Sequence, residues 1–74
     1  MIIFASTIDP GKIGPDTYVI TRNESGRIEM CQYAFLKFNS QHVGDVTIIG
    51  TAPSKEKGIS VIREIIEKSA AEYS

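Results

Sequence analysis

The sequence predicts an α+β domain: an antiparallel β-meander of three to four strands with one C-terminal amphipathic helix packed on one face. Three observations lead there. Short runs rich in β-branched and aromatic residues alternate with segments dense in glycine, proline and asparagine, as in strands joined by turns. The last part of the chain repeats isoleucine at steps of three and four, the spacing of one helix face. At 74 residues the chain has room for one domain, residues 1–74.

Ile2 to Ile8 has strand composition, and alternation puts Ile2 and Phe4 on one face. Asp9 to Asp16 carries two prolines and two glycines and reads as a loop, because proline removes a backbone donor and glycine relaxes φ. Thr17 to Arg22 is the second strand, and Asn23-Glu24-Ser25-Gly26 is a tight connection into a third. That third strand is expected to run from Arg27 to about Phe38. Ile28, Met30, Ala34, Leu36 and Phe38 alternate there with a set that also holds Cys31, Tyr33 and Phe35, so either both faces are covered in part or a bulge near Tyr33 to Leu36 switches the register. After a polar turn from Asn39 to Asp45, Val46 to Ile49 forms a short apolar strand ended by Gly50.

The helix is expected from Ser54 to about Tyr73. Ser54 is a suitable N-cap and Glu56 places negative charge in the first turn. Ile59, Ile62, Ile65, Ile66, Ala70 and Tyr73 form one apolar stripe to cover the sheet, opposite Arg63, Glu64, Glu67 and Lys68. Gly58 stands out, since glycine costs about 1 kcal/mol relative to alanine inside a helix. Either a neighbouring strand approaches closely there or the helix begins at that point.

Composition narrows the function. The chain is 42% hydrophobic and 23% charged, proportions of a folded domain rather than a disordered one. Domains of this size bury only about 60–65% of the surface their unfolded chains expose, and they commonly depend on a disulfide, a metal or a second copy. Cys31 is the only cysteine and His42 the only histidine, which excludes an internal disulfide and the usual zinc patterns. Self-association, as a homodimer, is the remaining device, unless one well-packed core is enough alone. A net charge of −1 argues against nucleic-acid binding through bulk positive charge. No basic segment precedes the apolar start and no run reaches membrane-spanning length, so neither a signal peptide nor membrane insertion is expected. One free thiol fits the reducing cytoplasm.

No residue pattern specifies catalysis, and no catalytic, cofactor or metal residue is expected. Cys31 reads as a small packed strand residue and His42 as a solvated loop histidine. A cation site at Asp9, Asp16 and Asp45 would need them to converge at one end of the sheet, and their spacing matches no calcium loop. Gly11 and Gly14 lack a phosphate-loop pattern.

Two features point further. Free N–H groups, Ser54, Lys55 and Lys57 at the helix start would suit an anion. Pro53-Ser54-Lys55-Glu56-Lys57-Gly58 resembles the lysine-bearing helix start of double-stranded RNA-binding domains, which also place three strands before a helix. The resemblance covers that segment and the strand order, without the N-terminal helix or basic surplus of that family. The second feature is a surplus of apolar residues: with one sheet face under the helix, some of Tyr18, Ile20, Cys31, Tyr33 and Phe35 are left for the other, where either the twist and long loops cover them or the aromatics invite a partner. The sequence therefore predicts a non-catalytic, self-associating interaction module of the regulator or inhibitor type, binding a protein partner through Tyr18, Tyr33 and Phe35. The alternative is contact with nucleic-acid phosphates through Arg22, Arg27, Lys37, Ser54, Lys55 and Lys57.

Overall fold

A computed structural model of the chain describes residues 1–39 and 44–73, with side chains in the last helix described as far as Lys68. The elements are β1 (Ile2–Phe4), β2 (Tyr18–Asn23), β3 (Ile28–Gln32), α1 (Tyr33–Phe38), β4 (Val46–Ala52) and α2 (Lys55–Tyr73), with a 3₁₀ turn at Pro10–Lys12 before β2. The four strands form one sheet in the order β1-β4-β2-β3. The class is α+β and the sheet is mostly antiparallel, since β2 pairs antiparallel with both β3 and β4. One pair departs from a meander: β1 lies parallel to β4, Ile2 beside Val46 and Phe4 beside Ile48. Parallel neighbours cannot be joined by a tight turn. Here the whole excursion through β2, β3 and α1 makes the return.

The expected hairpin joins β2 to β3. Asn23 N donates to Arg27 O at 3.0 Å, Arg27 N donates back to Asn23 Oδ1 at 2.9 Å, and Gly26 takes φ +84°. That positive φ is why the last turn position is glycine.

The third strand is shorter than its composition suggested. It ends at Gln32, and Tyr33–Phe38 is helical. Ala34, Leu36 and Lys37 are good helix formers, and the inward residues Tyr33 and Leu36 are three apart, a helical step rather than the strand period of two. The start of α1 is tied to the long loop, Tyr33 N donating to Thr17 O at 2.9 Å and Ala34 N to Pro15 O at 3.1 Å. The register switch lies elsewhere too. Ile20 faces Gly50 while Thr21 faces Ile48, so Ile49 is the extra residue of a bulge in β4. The bulge exchanges the faces: Val46 and Ile48 point to one side, Gly50 and Ala52 to the other, and all four are buried.

Both faces are covered. On one, Val19, Val46, Ile48 and Leu36 form a buried cluster, with Ile2, Phe4, Ile8, Ile13, Cys31 and Tyr33 packed against it, so α1 and the 9–17 loop close that side. On the other, α2 crosses β2 and β4 over Ile20, Gly50 and Met30. A Cβ on Gly50 would lie 3.1 Å from Val61 Cγ1 and 3.7 Å from Ile65 Cδ1, and one on Gly58 would collide with Met30 Sδ. Both glycines are therefore sites of close approach, which answers why a glycine stands inside the helix. The helix itself starts at Lys55, with Ser54 Oγ accepting from Lys57 N at 3.2 Å.

The sheet takes only one edge of the isoleucine stripe. Gly58, Val61 and Ile65 make the close line. Ile59, Ile62 and Ile66 follow one residue on, about 100° round the helix, and Ile59 and Ile66 remain 47% and 53% exposed. Ala70 and Tyr73 have side chains outside the described residues.

Candidate functional site

The three aromatics expected on one sheet face are distributed over both sides. Tyr18 is half-buried on β2 and, two residues from Ile20, lies on the α2 side. Tyr33 is on α1 across the sheet, half-buried against the core, its ring 6.4 Å from that of Phe4. Phe35 shares α1 but points outward, 63% exposed, and Phe38 one step on is 85% exposed. The sequence pattern puts Phe38 on a strand, and only the three-residue rhythm from Phe35 to Phe38 signals a second, outward helix line. Phe38 lines an open groove with Ile13, Pro15, Tyr33, Ala34 and Lys37, while Phe35 borders a separate hollow with Met30, Cys31 and Leu36. Lys37 Nζ sits 5.6 Å from the Tyr33 ring centroid, a cation–π contact that leaves the charge at the groove rim.

The basic residues do not gather. Arg27 pairs with Glu29 at 3.3 Å beside the hairpin turn, Arg22 lies at the same end of β2, and Lys37 is on α1. Ser54, Lys55 and Lys57 sit at the start of α2, beyond Ala52, which pairs with the opposite end of β2. Ser54 is occupied as the helix cap. Four strands precede α2, with a short helix between the third and fourth, unlike the three-strand order of the RNA-binding resemblance.

The remaining polar residues have local roles. Asp9 Oδ1 accepts from Gly11 N at 3.0 Å, and Asp45 holds the Met1 ammonium at 3.2 Å. Asp45 precedes β4 whereas Asp16 precedes β2, and because those strands are antiparallel the two lie at opposite ends of the sheet. The three aspartates therefore do not converge. Cys31 is half-buried on β3, and burial, with the Glu29 carboxylate as a lesser cause, pushes its thiol pKa up. That is the reverse of what a nucleophilic thiol needs. His42 lies outside the described residues.

A second apolar surface belongs to α2, where Ile59, Ile62 and Ile66 form a shallow strip edged by Arg63 and Glu67. Among the described residues, no helix is long and apolar enough to cross a membrane. No family model, curated protein or solved structure matches the chain.

Proposed function

We propose that this chain is a small non-catalytic interaction module, of the regulator or inhibitor type, that binds another protein stoichiometrically and also associates with itself. The observation that carries the reading is the outward pair Phe35 and Phe38 on α1, Phe38 lining a groove walled by Ile13, Pro15 and Tyr33. Large aromatic side chains held on a short rigid helix are typical anchors of protein interfaces. Lys37 at the rim supplies a polar contact that orients a partner rather than adding much affinity. Tyr33 supports the groove from below, while Tyr18 stands apart on the α2 side. The single thiol accords with a cytoplasmic setting.

The test is affinity capture from a lysate of the source cell, with and without nuclease, using the wild-type chain and the variant F35S/F38S as baits. A protein retained in fixed ratio by the wild type, resistant to nuclease and lost from F35S/F38S is the expected result. The variant should keep its stability within about 0.5 kcal/mol, as exposed positions do. Loss of all retained material on nuclease treatment would overturn the reading in favour of nucleic-acid binding.

A further inference from the structure

We infer that the outer line of α2 is the contact between two copies of this chain, their α2 helices packed antiparallel about a twofold axis level with residues 64–66. This rests on the self-association in the reading above and gives it a surface and a direction. Ile59 and Ile66 stand exposed on α2 beside the half-buried Ile62, with Arg63 and Glu67 along one edge of the strip. A twofold contact must be complementary to itself. Arg63 and Glu67 meet that condition, standing about 6 Å apart along the helix with opposite charge. Antiparallel inversion keeps this edge on the same flank of the contact and sets each Arg63 opposite the partner's Glu67, whereas a parallel twofold would carry the two charged edges to opposite flanks. In the antiparallel register each Ile62 lies about 3 Å along the axis from the partner's Ile66, within reach of it. Among the described residues, neither Arg63 nor Glu67 forms an ion pair within its own chain. Opposed helix dipoles favour the same direction. Exposed pairs of this kind select orientation more than they add affinity; burial of the isoleucines supplies the affinity.

Sedimentation of the wild-type chain from about 1 μM to about 1 mM should show a monomer–dimer equilibrium in this range. I59S/I66S should weaken it by about a hundredfold while leaving the far-UV circular dichroism unchanged. R63E and E67R should each weaken self-association about fivefold, and their equimolar mixture should recover a heterodimer of wild-type strength. If I59S/I66S unfolds, that charge-swapped mixture still decides the matter. A monomer at every concentration, a dimer insensitive to I59S/I66S, or a mixture no tighter than its components would each overturn the inference. F35S/F38S separates the two readings. A wild-type monomer that captures a partner through Phe35 and Phe38 overturns only the α2 contact. A dimer that survives F35S/F38S, with no captured protein in any bait, overturns the partner reading and leaves this one.

Discussion

Cys31 shows how little a residue type says without its surroundings. The sequence permits a reactive thiol, but its place on β3 against the core cluster, with Glu29 two residues away, disfavours the thiolate. Because the folded pKa is raised, the stabilising contribution of the neutral thiol is fully present below the unfolded pKa. It is lost as pH rises through the folded pKa. Alkylation by iodoacetamide should therefore be slower in the folded chain than in urea at the same mildly alkaline pH. E29Q should move the folded pH–rate profile downward, by less than unfolding does, since burial is the larger cause. Equal rates in folded and unfolded chains would refute this. Gly58 is the opposite case, since its oddity was visible in the sequence and its reason, Met30, is a partner distant in the chain.

At the scale of elements, that contact sets two effects against each other. Alanine at position 58 would improve helix propensity by about 1 kcal/mol. It would also press a methyl group into Met30, and overpacking costs about 1–3 kcal/mol. G58A should therefore lower stability in the wild-type background and raise it in an M30A background, as read from urea midpoints in a double-mutant cycle. An unchanged sign would mean that Met30 swings aside without cost. The hairpin and α2 were legible in the sequence because their signals are local: Asn23 and Gly26 for the turn, Ser54 and the isoleucine rhythm for the helix. α1 was hidden because Tyr33 to Phe38 satisfies a period of two and a period of three about equally well. Its hydrogen bonds to Thr17 and Pro15, far back in the chain, accompany the helical form.

For the whole molecule, the consequence of a sheet covered on both sides is that two thin cores share one backbone. Ile48 anchors the side closed by α1 and Ile20 the side closed by α2, and both are fully buried. Truncating a buried isoleucine to alanine costs about 2–5 kcal/mol, against a total of about 4–11 kcal/mol for a domain this small. I20A and I48A should each lower the urea midpoint sharply, and each should keep a single cooperative transition by circular dichroism. A biphasic curve in either variant would mean that the faces unfold independently. The candidate site was half legible at this scale. The sequence pointed to an aromatic surplus and to Phe35, but it grouped Tyr18 with residues that the fold carries to the opposite side.

Strand composition, the 23–26 turn, the Ser54 cap, the 3.6-residue rhythm of α2 and the α+β class are all consequences of neighbours within a few positions, and the sequence by itself determined them. Tertiary structure decided which strands meet, where the bulge falls, which edge of the isoleucine stripe the sheet takes and which aromatics stay outside. Those depend on contacts between distant residues: Ile2 with Val46, Ile20 with Gly50, Met30 with Gly58. The Ile49 bulge illustrates the reason. One extra residue in β4 reverses which side its later residues face, and the pattern Val46, Ile48, Gly50, Ala52 reads the same along the chain whichever side they take.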